Sequence, residues 1–243
     1  MTRRALLINW FDLPAEHEAD FDTWHNREHV IERVTIPGFV QGRRFVAIGA
    51  PAQKGHGYLV IYDAQDLQAL QSPAYEARLD GPTPLTRRVV PMLRELTRTA
   101  GEVVQERGAG NGVYVRTLRL PGLSTLGAQT DDAVASALDA AYACNSVTAV
   151  QLYRPDVGVT HFKDRTQEGR ATDTLRRDDY PWGIVVEACR PAALDAATEA
   201  LRARLGQLGP DAATEWQAHS YQLVFAMDAD QAHRAVRSTG ANP

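Results

Sequence analysis

The residues whose types are most suited to catalysis or metal binding lie in one short stretch, residues 24–33 (WHNREHVIER). On an α-helix, His25 and His29 are four residues apart and share a face, with Glu28 beside that face and Glu32 three residues beyond His29. A carboxylate next to an imidazole sets its tautomer and favours its protonated form, which suits a general acid or base near neutral pH. The same spacing also fits a solvated helix face with ion pairs, so it does not by itself decide between a catalytic and a surface role.

The same residues also match a zinc-peptidase pattern. His25, Glu28 and His29 satisfy H-x-x-E-H, in which both histidines bind zinc and the glutamate activates water. A further acidic ligand would be needed downstream, and the candidates are Glu95, Glu102 and Glu106. The segment after the motif is Ile-Pro-Gly-Phe rather than the small-residue and Gly-Thr context expected of that class. We therefore expect no metal and no other cofactor; if a metal does bind, its ligands are His25 and His29.

Two predicted strands carry polar side chains that could contact a substrate. Tyr58 and Tyr62 share one strand face, where they are either hydrogen-bond donors to a substrate oxygen or core tyrosines. Arg43 and Arg44 point to opposite faces, so at most one of them faces a cavity. An inward arginine would suit a carboxylate, phenolate or enolate.

The second half of the chain offers two weaker candidates. His219 lies on the last predicted strand and is a runner-up catalytic or binding residue if its face points inward. The long polar segment 155–181 has no periodicity, and a segment of that length is either a functional lid or a solvated loop. Its candidate lid residues are His161, Lys163, Asp164 and Arg165.

Hydrophobic periodicity and turn residues predict the elements that position these side chains. The predicted strands are 5–12, 39–50, 57–64, 98–107, 113–120, 146–154, 182–189 and 214–227. The predicted helices are 15–34, 66–80 with a break at Pro73, 84–96, 130–143 with Thr130 or Asp131 as N-cap, and 191–206.

The order of these elements repeats once. Each half is predicted to be β-α-β-β-α-β, the ferredoxin-like unit, which makes the chain an α+β protein built by duplication. The first half spans 1–108 and carries the candidate site, and the second spans 112–230 with the loop 155–181. A four-stranded sheet has one face covered by its own helices, so we expect the two halves to pack against each other.

Composition excludes several other classes of protein. The chain has 243 residues, with 26 Lys and Arg against 30 Asp and Glu, so its net charge of −4 gives no attraction to nucleic acid or anionic lipid. No apolar run approaches the ~20 residues that span a bilayer, and the N-terminus lacks the pattern of a signal peptide. The two cysteines, Cys144 and Cys189, are too few for a disulfide framework. The expected location is the cytoplasm.

A series of short motifs in the first half resembles the EthD-like branch of the dimeric α+β barrel superfamily. The motifs are Trp24-x4-His29, Arg33-x3-Pro37-Gly38-Phe39, Arg43-Arg44-Phe45, Tyr58-Leu59-Val60-Ile61-Tyr62 and Ser72-Pro73-Ala74-Tyr75. The resemblance is clearest over residues 6–90, and the second half resembles the family only in the order of its elements.

The resemblance implies two fused ferredoxin-like units that form an intramolecular α+β barrel, with a cavity between sheet and helices. It also implies His29 as the main catalytic residue, with Trp24 and Arg33 around it. Trp24 would bind the substrate or anchor the helix, and Arg33 could instead be an ion-pair partner of Glu28 or Glu32.

The expected function is a cofactor-independent enzyme of the isomerase, cyclase, dehydratase, lyase or oxygenase type that acts on a small aromatic or polyketide-like molecule. His29 would be the general acid or base, tuned by Glu28 or Glu32 and assisted by His25. The alternatives are a non-catalytic binder of a small molecule or haem and an H-x-x-E-H zinc hydrolase. The expected partners are a small-molecule substrate and, as a further option, a second copy of the chain in a homodimer.

Overall fold

The computed structural model describes residues 3–49, 54–125, 131–172, 180–208 and 216–239. The chain divides into two compact units. The first unit contains Met1–Glu102, Asp156–Arg177 and Val224–Pro243, and the second contains Val103–Pro155 and Asp178–Leu223. No helix in the described ranges is both long and apolar enough to cross a membrane.

Eight strands are present in the described residues. They are β1 (Ala5–Asp12), β2 (Phe39–Ala47), β3 (Tyr58–Ala64), β4 (Arg94–Gly108), β5 (Tyr114–Leu120), β6 (Val147–Pro155), β7 (Trp182–Ala188) and β8 (Gln217–Asp228). Each lies where the sequence predicts a strand. β4 begins earlier than predicted, because the helix expected over 84–96 ends before Arg94. Pro91 lacks a backbone donor and clashes with a continuing helix, which explains the early end.

The helices predicted over 15–34, 66–80 and 84–96 are each shorter or interrupted in the structure. The α-helices of the described residues are α1 (Glu18–Trp24), α2 (Val30–Val34), α3 (Pro73–Asp80), α4 (Pro84–Val89), α5 (Asp131–Tyr142), α6 (Val157–His161), α7 (Gln167–Arg170), α8 (Pro191–Leu205) and α9 (Ala229–Thr239). Single 3-10 turns lie at Ala15–His17, Ala69–Gln71, Val90–Met92, Pro121–Thr125, Phe162–Arg165 and Gly206–Leu208. The predicted break at Pro73 is confirmed. The proposed cap Thr130 lies outside the described residues, and α5 begins at Asp131.

In the first unit the strands form an antiparallel sheet in the order β4-β1-β3-β2. Ile8 of β1 is level with Ile61 of β3 on one side and with Thr99 of β4 on the other. One face of the sheet packs against the helices and makes a continuous core. That core includes Leu7, Phe11 and Val60 from the sheet, Phe21, Trp24 and Val30 from the first helices, and Val159, Phe162 and Ala232 from later in the chain.

Residues 156–172, which we call the cover segment, also belong to the first unit. The expectation of an aperiodic loop is wrong here, because this stretch forms α6, a 3-10 turn and α7. Asp156 and Thr166 act as N-caps for the two helices through hydrogen bonds from the Val159 and Gly169 amides. The helices are too short to show periodicity. The rest of the predicted loop includes residues 173–179, which lie outside the described residues.

Several hydrogen bonds attach the cover segment to β4. The Arg98 guanidinium donates hydrogen bonds to the carbonyl oxygens of Val159, at 3.0 Å, and Thr160. The Asp156 amide donates to the Ala100 carbonyl at 2.8 Å, and the Ala100 amide donates to the Thr160 hydroxyl at 2.9 Å. Buried hydrogen bonds from both main-chain and side-chain atoms thus fix the cover segment to β4.

The strands of the second unit form an antiparallel sheet in the order β6-β7-β5-β8. Its main helices are α5 and α8. Its core contains Leu118, Val150 and Ile184 from the strands and Leu138, Leu194 and Leu201 from the helices. In both units the fourth strand pairs with the first, the first with the third, and the third with the second. The chain is therefore a mixed protein with antiparallel sheets and helices, as expected. β4 and β8 each contribute residues to both units.

Candidate functional site

The histidine motif forms a π turn over His25–His29, between α1 and α2. The Val30 amide donates to the carbonyl of His25, which is five residues back rather than four. The prediction of a regular α-helix through this stretch is therefore wrong, although it is right that His25 and His29 come together. The His29 ring lies 4.1 Å from the Trp24 ring, and the His25 ring lies 5.2 Å from the Phe21 ring, measured between centroids. Single π turns inside helices are frequent at functional sites.

Both histidines are buried and uncharged. His25 is 2% exposed and His29 is 9% exposed. Burial, followed by the nearby Arg44 charge, lowers the pKa of His25 to about 3. Burial, followed by Arg33, His25 and Lys163, lowers the pKa of His29 well below its usual value. The expectation from sequence that a carboxylate favours the charged imidazole is wrong, because burial, and after it the nearby cations, favour the neutral form of both rings.

The two glutamates of the motif have other partners. Glu28 accepts hydrogen bonds from the Thr83 and Thr86 hydroxyls at the start of α4. Glu32 forms an ion pair with Arg78 at 3.5 Å, and burial raises its pKa. Trp24 donates its indole N–H to Thr86 at 2.9 Å. These contacts give Glu28 the role of anchoring α4 to the π turn, and its side chain does not line the cavity beside the histidines.

A cavity with space of about 60 Å³ for the centres of water-sized molecules lies beside the π turn, entirely within the first unit. Most of its wall is aromatic or aliphatic and includes Phe21, Trp24 and Leu7. Its polar lining residues are Asn9, His25, His29, Arg33, Tyr62, Arg98, Lys163 and Glu168. An apolar cavity with a few converging polar groups is the usual form of a small-molecule site.

Three charged side chains meet at one end of this cavity. The Arg33 Nη2 donates to one carboxylate oxygen of Glu168, and the Lys163 ammonium lies 3.1 Å from the other. Burial raises the pKa of Glu168, but Arg33 and Lys163 outweigh this effect, so its pKa lies below the usual value and the group stays ionised. Glu168 therefore joins α2 to the cover segment through an ion pair whose two side chains are each 3% exposed.

Six buried polar atoms of the lining side chains have no hydrogen-bond partner among the residues that the structure describes. They are His25 Nδ1 and Nε2, His29 Nδ1, Arg33 Nη1, Tyr62 Oη and Arg98 Nη2. Leaving such a group unsatisfied costs about 1–3 kcal/mol, more when it is charged. Because all five residues line one cavity, a ligand or water in that cavity is the natural partner for them.

Gly42 on β2 makes room for the Tyr62 ring. Gly42 and Tyr62 are directly paired across β2 and β3. A Cβ at Gly42 would lie 2.8 Å from Tyr62 Cε1 and 3.0 Å from Val30 Cγ1, closer than real Cβ contacts. The glycine thus allows the tyrosine ring to pack between the sheet and α2 with its hydroxyl at the cavity.

The other residues predicted from sequence do not line this cavity. Arg44 forms an ion pair with Asp22 at 2.7 Å, and the Tyr58 hydroxyl donates to Glu18 at 2.7 Å; both lie at a second pocket. Arg43 is buried and contacts Asp63 at 3.1 Å. His219 lies on β8 in the second unit, level with Thr117 of β5.

Sequence reasoning did not find Arg98 or Glu168. Arg98 lies in a strand that the sequence only weakly predicts, and Glu168 lies in a stretch without periodicity. Lys163, by contrast, is among the candidate lid residues, and it does line the cavity. The signal that could have found Glu168 is the ST-turn pattern Thr166-x-x-Gly169, which starts a short helix.

The residues do not fit the zinc-peptidase pattern. Within the described ranges no group of three or more His, Cys, Asp or Glu side chains is close enough to hold a metal ion. Glu102, one of the candidate third ligands, instead lies 3.5 Å from Arg3. Zinc bound by this motif requires two histidines and a carboxylate around one point, and the residues that the structure describes do not provide that arrangement.

No protein-family model and no curated protein matches the sequence. Solved structures do match. An anthrone oxidase-like protein has a TM-score of 0.57 at 14% identity, over 94% of each chain. A monooxygenase-like protein from Fusobacterium nucleatum has a TM-score of 0.55 at 9% identity, over 93% of this chain and 95% of that one. Chlorite dismutase from Candidatus Nitrospira defluvii in complex with imidazole has a TM-score of 0.57 at 10% identity, over 98% of this chain and 95% of that one. At these identities the likeness extends to the fold and does not single out the EthD-like branch: the chain has the fold of the dimeric α+β barrel proteins.

Proposed function

We propose that this chain is a cofactor-independent enzyme that transfers a proton at an acidic carbon or hydroxyl of a small aromatic or polyketide-like molecule. The observation that carries this proposal is the set of unpartnered atoms His29 Nδ1, Arg33 Nη1 and Tyr62 Oη at one largely apolar cavity. The fold neighbours support a small-molecule enzyme or binder, since they include anthrone oxidase-like and monooxygenase-like proteins.

His29 is the proposed general base, because its neutral imidazole has a free nitrogen to accept a proton. Its lowered pKa makes it a weak base towards an ordinary carbon acid. It therefore suits a substrate whose acidic hydrogen lies between two carbonyl or aryl groups, where loss of the proton is easier. Arg33 and Tyr62 would donate hydrogen bonds to the oxygen that gains negative charge, which stabilises the enolate or phenolate as it forms.

His25 and Trp24 are proposed to position His29. Trp24 packs on the His29 ring and is itself held by Thr86, so the imidazole has little freedom to turn. Such rigid support keeps a catalytic group in a productive orientation. We further propose that both units are ferredoxin-like, a reading supported by their common strand order.

Hydrogen–deuterium exchange at acidic carbons tests the proposal without knowledge of the natural substrate. Wild-type protein in D2O is expected to accelerate exchange in anthrone or in cyclic 1,3-diketones, followed by NMR. His29→Gln should reduce the enzymatic rate by roughly 10²–10⁴-fold, the usual contribution of a general base. The matched control is His233→Gln, at an exposed position on α9, which should leave the rate unchanged. Equal rates for wild type and His29→Gln would refute the role of His29.

A non-catalytic small-molecule binder is the second candidate, and the low pKa of both histidines favours it. Binding of the test compounds without any acceleration of exchange in the wild type would support this candidate over the enzyme.

A further inference from the structure

The charges that line the histidine cavity do not balance. Arg33, Arg98 and Lys163 bring three positive charges, and Glu168 brings one negative charge. Arg33 is 2% exposed and Arg98 is 4% exposed, so water at the surface screens them little. Both histidines are neutral here and add no charge. A buried surplus of positive charge is costly unless something in the cavity compensates it.

The hydrogen bonds of these cations show which of their N–H groups lack an acceptor. Arg33 uses Nη2 for Glu168, while Nη1 has no partner in the described part of the chain. Arg98 uses Nη1 for the two carbonyls of the cover segment, while its Nη2 also lacks a partner there. The Tyr62 hydroxyl is a further free donor. All of these atoms donate hydrogen bonds, so the group that completes them must be an acceptor.

We propose that the cavity binds a small monoanion, with a carboxylate, phenolate or enolate oxygen on Arg33 Nη1 and the Tyr62 hydroxyl, and with its apolar body against Phe21 and Trp24. The positive charges of Arg98 and Lys163 further attract the anion. This inference names the substrate class of the site in the proposed function and rests on that function only for the claim that the ligand reacts.

Glu168 gives the proposal a distinctive consequence, because it is a built-in anion that competes for the same cations. Its carboxylate occupies Arg33 Nη2 and Lys163. Removing its charge should strengthen the attraction for an external anion, whereas removing the Arg33 charge should weaken it. A substitution that only damaged the cavity would weaken binding in both cases. The two variants therefore separate an electrostatic role from a structural one.

The test compares benzoate with benzamide, its neutral analogue of nearly the same shape, by isothermal titration calorimetry on the full chain. Wild-type protein is expected to bind benzoate at least about tenfold more tightly than benzamide, a factor typical of one charge-assisted hydrogen-bond pair. Arg33→Met should remove this preference and leave benzamide binding in place. Glu168→Gln should tighten benzoate binding severalfold. Circular dichroism confirms that each variant is folded, and Arg98→Met replaces Arg33→Met if the latter does not fold.

Arg43→Met is the matched control, because Arg43 is also a buried arginine with a carboxylate partner but does not line the cavity. It should leave the benzoate preference intact. Equal affinity of the wild type for benzoate and benzamide, no binding of benzoate, or weaker benzoate binding by Glu168→Gln would each overturn the proposal. The carbon-exchange assay with His29→Gln is independent of these results. A wild type that shows no preference for benzoate but exchanges carbon-bound hydrogen in a His29-dependent way refutes the anion site alone. A wild type that prefers benzoate but whose exchange rate is unaffected by His29→Gln refutes the catalytic role alone.

Discussion

At the scale of single residues, environment rather than spacing determines the state of the histidines. Their positions in sequence place them together, but their protonation depends on what surrounds them. Burial and the charges of Arg33, Arg44 and Lys163 favour the neutral form of both rings. Arg44 and Lys163 lie outside the motif. The motif alone therefore predicts a raised histidine pKa, whereas the folded protein lowers it.

Stability should consequently fall at acidic pH. The unfolded chain takes up protons on histidine near pH 6.5, whereas the folded pKa of His25 is about 3. The stability contributed by the neutral, buried rings is therefore complete above about pH 6.5 and is lost as the pH falls from there towards the folded pKa. Each histidine contributes a slope of at most about 1.4 kcal/mol per pH unit.

His25→Gln isolates this effect from the titration of carboxylates. Urea unfolding at about pH 5 and about pH 7.5 should show a smaller loss of stability in the variant than in the wild type. His233→Gln, at an exposed position, should show the same loss as the wild type. An unchanged pH dependence in His25→Gln would contradict the buried neutral state.

The Glu28 hypothesis shows what spacing can and cannot predict. Periodicity correctly indicates which face of the helix a residue occupies. It does not indicate which residue from elsewhere will meet it there. Thr83 and Thr86 come from more than fifty positions downstream and engage Glu28, so the carboxylate binds hydroxyls instead of an imidazole.

At the scale of elements, α4 supports the π turn from the side. Thr86 is the shared point of contact: it accepts a hydrogen bond from Trp24 and donates one to Glu28. Its own amide is capped by Thr83, and Pro84 occupies the first turn, so the start of α4 is well defined. The helix thereby fixes the π turn through hydrogen bonds rather than through apolar contacts alone.

Thr86→Val should lower the free energy of unfolding by about 1–3 kcal/mol, because it keeps the side-chain shape but leaves the buried Trp24 N–H without an acceptor. Chemical denaturation measures the change. Thr23→Val is the control on α1, since the Thr23 hydroxyl bonds only to the Ala19 carbonyl at an exposed site. A cost no larger than that of the control would mean that α4 does not support the turn in this way.

The elements also show how much could be predicted from sequence. Long strands and capped helices are predictable, because alternation, Pro73 and Pro191 mark them locally. The π turn is not, since its extra residue per turn is visible only in the hydrogen bond from Val30 to His25. The cover segment is also not predictable, because α6 has five residues and α7 has four. Helices this short do not show a repeating pattern of apolar residues. α9 follows β8 without a loop and has no predicted counterpart.

At the scale of the whole molecule, the first unit is assembled from three separate stretches of chain. Phe162 of the cover segment stacks on Tyr75 of α3, with ring centroids 6.3 Å apart, and Ala232 of α9 is fully buried in the same core. The unit therefore depends on residues well beyond the first hundred, whereas the duplication inferred from element order places it entirely in 1–108.

Phe162→Ala tests this dependence. The loss of a buried aromatic side chain should lower the free energy of unfolding by about 3 kcal/mol. Hydrogen exchange measured by mass spectrometry should increase in β3 and α3 and remain unchanged in β6 and β7, which belong to the second unit. Tyr142→Ala, at an exposed aromatic position, is the control. Increased exchange in β6 and β7 as well would contradict a local role of Phe162 in the first unit.

The ion pair between Arg33 and Glu168 joins residues that are 135 positions apart. At a translation rate of about 5–20 residues per second, the Arg33 side chain leaves the ribosome on the order of ten seconds before its counter-ion is made. During that interval the Arg33 guanidinium has no native counter-ion, so the charged cluster of Arg33, Lys163 and Glu168 forms only after the cover segment has been synthesised.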